Sequence, residues 1–136
     1  MRYIFHFVLA WCLLCGFLAG AQAAITGKAL LGLCQTALHF EGLPEDRPPT
    51  ETEIEDLTKK TLCWGYLYGV SDTVATFQGM IKSKYICLPE GGAKINQTIG
   101  IVVKYLEAHP EELKYRADSE VQMALKDAFP CPESEQ

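Results

Sequence analysis

The stretch CWGYLYGVSDT, residues 63–73, decides how this chain is read. Cys63, Leu67, Val70, Val74, Phe77 and Ile81 recur at alternating steps of four and three. That is the period of one helix face, sustained over about five turns. Yet Gly65 and Gly69 lie inside the same helix. A glycine in a helix interior costs about 1 kcal/mol relative to alanine. At roughly 100° per residue, Gly65, Gly69, Asp72 and Thr76 fall on a second stripe, nearly opposite the apolar one. The helix therefore carries one greasy face and one bare face, and a bare face permits close approach by another backbone. The ordinary reading is that a later helix of the same chain rests there. The alternative is a partner surface, including a homodimer. Asp72, on that stripe, needs a hydrogen-bond partner if it is buried.

Working outward, the same periodicity predicts three more helices. The first starts at Thr26, a plausible N-cap, and runs to Phe40 with Leu30, Leu33 and Ala37 on one side. The acid- and proline-rich run LPEDRPPTETE follows, and at its end Thr50 and Glu53 have capping-box spacing. The second helix spans 51–82. A connector, SKYICLPEGGAK, holds Cys87, Pro89 and two glycines. The third helix carries Ile95, Ile99, Val102 and Leu106 and stops at His109-Pro110, because a residue before proline avoids helical angles. The fourth is expected over 111–128. No stretch alternates as a strand, so the fold class is all-α, a small four-helix bundle.

Upstream, Arg2 precedes an uncharged apolar run from Tyr3 to Leu18, with small residues at Ala21 and Ala23. This is the pattern of a secretory signal peptide over residues 1–23, cleaved after Ala23. The rival is an uncleaved anchor, since the run approaches membrane-spanning length. Cleavage leaves residues 24–136 as one all-helical domain in the periplasm, with no membrane attachment. Cys12 and Cys15 are discarded with the leader. Removing Arg2 leaves 11 basic against 17 acidic residues, a net charge of −6. A nucleic-acid partner is not expected, because phosphate binding needs a basic patch.

Cys34, Cys63, Cys87 and Cys131 remain, and an even number in a small exported chain reads as two disulfides. Three connectivities are open to sequence alone. In an up-down-up-down bundle the second and fourth helices point the same way. Cys87 and Cys131 lie just past their ends and are paired on that ground. Cys34 and Cys63 then face each other across the first helical hairpin.

The ordered set CWGYLYGVSDT, CLPEG, IVVKYLEAHPEEL and AFPC resembles the Rap/Tai immunity-protein family over residues 34–131. The positions that match are Cys34, Cys63, Gly65, Tyr66, Gly69, Asp72, Cys87, Pro89, Tyr105, Leu106, His109, Pro110, Pro130 and Cys131. They have the character of scaffold residues. The resemblance implies a small exported helical protein with disulfides. It also implies neutralisation of a peptidoglycan amidase delivered by type VI secretion, by plugging the active-site cleft, often as a dimer.

The residues themselves speak for binding rather than catalysis. His39 and His109 both sit where they interact with helix-terminal carbonyls. Paired cysteines leave no thiol nucleophile and no zinc ligands. No phosphate loop, serine elbow or metalloprotease helix is present, so neither a cofactor nor a metal is expected. The candidate partner loops are the acidic turn with Glu45, Asp46, Glu51 and Glu53, and the connector with Lys84 and Glu90. The competing readings are a periplasmic acid-stress chaperone and a structural protein with another partner.

Overall fold

In the computed structural model, which describes residues 24–81 and 83–132, four helices follow one another: α1 (Gly27–His39), α2 (Glu51–Ile81), α3 (Ile95–Ala108) and α4 (Ala117–Ala128). The leader read from residues 1–23 lies outside the described residues. Among these residues there is no strand, only an isolated bridge between Thr26 and Arg116.

The starts of α1 and α2 have a local cause. The Thr26 hydroxyl accepts from the Ala29 N–H at 3.3 Å, capping α1. Thr50 and Glu53 close a reciprocal box at the start of α2. The Thr50 N–H donates to Glu53 Oε2 at 2.7 Å and the Glu53 N–H donates to Thr50 Oγ1 at 3.3 Å. At the end of α3 the His109 N–H donates to the Tyr105 carbonyl at 3.1 Å, and His109 Nδ1 lies 2.8 Å from the same oxygen.

The expected start of the fourth helix is corrected. Residues 111–116 form a turn, and α4 begins at Ala117. The first N–H groups of α1 have no partner within their own helix and take carbonyls from this turn. The Gly27 N–H donates to Tyr115 O at 2.9 Å and the Lys28 N–H to Leu113 O at 2.8 Å, while the Ala117 N–H returns to Ile25 O at 2.9 Å. A helix through 111–116 would need those carbonyls for itself.

The core gathers Leu30 and Cys34 from α1, Cys63, Leu67 and Val74 from α2, Ile99, Val102 and Leu106 from α3, and Val121 and Leu125 from α4. Ile86 of the connector joins them. Both disulfides form as expected, Cys34–Cys63 and Cys87–Cys131. The buried stripe of α2 runs Cys63, Leu67, Val74 and Gln78, whereas Phe77 and Ile81 are exposed. A step of four from Val74 lands on Gln78, so the true face carries a polar residue where apolar spacing alone points to Phe77.

Glycine matters most at a position the periodicity does not mark. A Cβ at Gly27 would lie 3.2 Å from Leu113 Cα and 3.3 Å from Leu106 Cδ2, so the entry to α1 presses on the 109–116 turn. At Gly65 and Gly69 a Cβ would meet nothing within 4 Å. Gly27→Ala should therefore lose about 1–3 kcal/mol through overpacking. Gly65→Ala should gain up to about 1 kcal/mol through helix propensity. Urea titration of both variants beside the wild type checks the opposite signs.

Candidate partner-binding surfaces

The two candidate loops flank the longest helix. With 31 residues at 1.5 Å each, α2 is about 46 Å long. The acidic turn precedes its first residue and the connector follows its last. One cleft of ordinary size cannot receive both loops.

In the acidic turn, Glu45, Asp46 and Glu51 are exposed. Glu53 is engaged within the protein. Besides closing the capping box, it accepts a two-pronged contact from Arg47, Nη1 to Oε2 at 2.9 Å and Nη2 to Oε1 at 2.6 Å. The Arg47 guanidinium, with the Thr50 N–H behind it, lowers the Glu53 pKa to about 2. Its carboxylate is a helix-capping group, and Arg47, which the reading of this run as an acidic loop overlooks, is its partner.

The connector is tied from behind. Gln78 is buried, and its Oε1 accepts from the Tyr85 N–H at 2.7 Å and the Ile86 N–H at 2.8 Å. Its Nε2 donates to the Ile86 carbonyl at 3.1 Å. One side chain thus imitates a pairing strand for two consecutive residues. The Cys87 N–H donates to Phe129 O at 2.9 Å beside the Cys87–Cys131 bond. The Tyr85 hydroxyl donates to Gln122 Oε1 at 3.1 Å, anchoring the same segment to α4. Past Pro89 the chain turns through Gly91 and Gly92, both at positive φ of 81° and 83°, a region that favours glycine. Exposed Lys84 and Glu90 stand on the rim of a groove of about 950 Å³, whose wall includes Ala75, Gly79, Leu88 and Pro130.

The bare stripe of α2 is open. Gly65, Gly69, Asp72 and Thr76 are all exposed. The expectation that a later helix rests on them is overturned, since nothing lies within 4 Å of a Cβ at either glycine. The helices of this chain close on the opposite side, where Leu67 and Val74 are buried. Asp72 is solvated and needs no internal partner. Gly79 and Met80 continue the open face, and Met80 is 75% exposed. A smaller groove of about 410 Å³ borders it, between Tyr66 on α2 and Arg116, Asp118 and Gln122 at α4. Arg116 grips Asp118 there through two contacts of 3.0 and 2.7 Å.

Of the described histidines, His109 is occupied structurally. The ring of His109 stacks on Tyr105 with centroids 4.2 Å apart, and His39 is exposed at the end of α1. Among the described residues no cluster of histidine, cysteine and carboxylate side chains is arranged to hold a metal. No helix there is long and apolar enough to cross a membrane.

The described residues thus form a doubly disulfide-bonded helical bundle with a tied connector and an open helix face. The match to known families makes this specific: the Rap1a immunity proteins align with residues 26–131, and the chain belongs to that family. No curated protein and no solved structure matches it.

Proposed function

We propose that this protein protects a periplasm against a peptidoglycan amidase delivered by type VI secretion, and that it does so by seating the α2–α3 connector in the enzyme's cleft. Membership of an immunity-protein family supports a protein partner, an effector. The observation that carries the rest is the anchoring of the connector. Gln78, the Cys87–Cys131 bond and the Cys87–Phe129 hydrogen bond hold its backbone before any partner arrives. A loop already in its bound shape loses little entropy on docking, so a small contact can reach high affinity.

The test begins with recovery of the partner amidase from periplasmic extract on the immobilised protein. Glu90→Arg should then weaken binding at least tenfold, about 1.4 kcal/mol, with no change in melting temperature. Glu45→Arg combined with Asp46→Arg should leave affinity and inhibition intact, since those residues lie at the other end of α2. The reverse pattern would move the inhibitory surface to the acidic turn. Recovery of no cell-wall hydrolase at all would remove the amidase reading.

A second reading concerns assembly. The open face from Gly65 to Met80 supports a homodimer built on α2, and sedimentation equilibrium of the free protein measures it directly.

A further inference from the structure

The two disulfides stand in unlike surroundings. Cys34 and Cys63 are each 0% exposed and belong to the apolar core that all four helices share. Cys87 and Cys131 lie outside the helices, one after the end of α2 and the other after the end of α4, and neither belongs to that core. Cys87 is partly exposed and lines the groove of about 950 Å³ beside the connector. Its partner Cys131 is 8% exposed. The residues on either side of Cys131, Pro130 and Pro132, form part of the same groove's wall. The bond therefore fastens that wall to the connector. Exchange at a disulfide requires a thiolate to reach one of its sulfurs. The Cys34–Cys63 bond offers neither sulfur unless the core opens, whereas the groove leads to Cys87.

We propose that Cys87–Cys131 is a thiol–disulfide exchange site for a dithiol reductant, entered through the groove. Its reduction releases the Pro130–Pro132 wall while the Cys34–Cys63 bond keeps the bundle stapled. The first thiolate of the reductant attacks Cys87 Sγ and forms a mixed disulfide there. The Cys87–Cys131 bond breaks, its electron pair leaves on Cys131 Sγ, and that sulfur takes up a proton. The second thiolate of the reductant then attacks the reductant's own sulfur in the mixed disulfide. Cys87 is expelled and protonated in turn. The protein gains two electrons and two protons, and the dithiol becomes a disulfide. No partner protein enters this step, so it stands apart from the amidase reading.

What loosens, and what does not, is defined by the remaining contacts. Gln78 still binds the Tyr85 and Ile86 N–H groups and the Ile86 carbonyl, and the Tyr85 hydroxyl still reaches Gln122. The first half of the connector thus keeps its place. Beyond it, the Cys87 N–H on Phe129 O loses the covalent bond that holds its two strands of chain together. Exchange at Cys34–Cys63 waits for an opening of the core, which is populated far less than a surface fluctuation. The two bonds should therefore differ in rate by at least about a hundredfold.

The experiment treats the purified, oxidised wild-type protein with dithiothreitol in native buffer, alkylates samples at intervals and maps each cysteine by peptide mass. Cys87 and Cys131 should be alkylated together, at least about a hundredfold sooner than Cys34 and Cys63, with the helical circular dichroism retained. All four cysteines reacting at one rate, or Cys34 and Cys63 reacting first, would overturn the proposal. A second arm replaces dithiothreitol with a reduced protein dithiol. Selective reaction in both arms supports a site open to protein reductants, and selective reaction with dithiothreitol alone supports one for small dithiols. A third arm uses the monothiol glutathione and traps the mixed disulfide by alkylating the freed thiol. The adduct should sit on Cys87, and an adduct on Cys131 would refute entry through the groove. In the protein reduced at this bond alone, the Cys87 amide should exchange at least about tenfold faster while those of Leu67 and Val102 are unchanged. A Cys87 amide that ignores reduction would refute release of the wall.

Discussion

Replacing Cys87 and Cys131 together by alanine is expected to lower stability by about 4 kcal/mol and the melting temperature by roughly 15–20 °C. The bond closes a loop with a sequence separation of 44, and the entropy of that loop in the unfolded chain sets the magnitude. A domain this size has only about 5–15 kcal/mol to lose. The effect should also be local. Cys87 is the residue at which the connector meets the end of α4, and its N–H is bonded to Phe129 O. Amides near Ile86 and Cys87 should therefore exchange faster than those of α3, even well below the melting point. Chemical unfolding and hydrogen exchange on the double variant measure both parts. A loss under 1 kcal/mol, or uniform loosening of every helix, would mean that the bond does not organise the connector.

Gln78→Leu is the second large effect, expected to cost about 3 kcal/mol although it places an apolar residue in an apolar core. Leucine is nearly the same size, so packing is preserved. What is lost is the pairing of the Tyr85 and Ile86 N–H groups and the Ile86 carbonyl. Each buried group left without a partner costs about 1–3 kcal/mol, and the terms do not simply add. Gln78→Glu separates geometry from charge. It keeps the two-N–H acceptor but cannot donate to the Ile86 carbonyl when ionised, so it should fall between wild type and leucine at neutral pH. Urea titrations of the two variants test the link. If Gln78→Leu is as stable as the wild type, the connector is held without Gln78, by the disulfide and the Cys87–Phe129 and Tyr85–Gln122 hydrogen bonds.

These residues also mark where sequence reading reaches and where it stops. The spans of α1, α2 and α3 follow from period and punctuation: Thr26 before the first, Thr50 and Glu53 at the second, His109-Pro110 after the third. The disulfide partners follow from the directions of the helices, because an antiparallel bundle brings Cys87 and Cys131 to one end. The start of α4 does not follow, since it is decided by where the N–H groups of Gly27 and Lys28 find acceptors, some 85 residues upstream. Gln78 is hidden for a related reason. A polar residue on the buried side of an apolar stripe looks like the edge of that stripe until the chain it holds is visible. The glycines mislead in the opposite way. Gly65 and Gly69 invite a packing partner that the described residues do not supply, whereas Gly27, next to a capping threonine, is pressed against another backbone.

Gln78 grips the connector by main-chain atoms alone, and that has a consequence for how such a protein can diversify. Peptide groups are the same whatever residue bears them, so the support is indifferent to the identity of the outward side chains. On the proposed reading, an exposed position such as Glu90 can drift to match an altered adversary while the scaffold beneath it needs no matching change. A defender in an arms race can thus rewrite its contact surface one substitution at a time without first having to rebuild the frame that displays it.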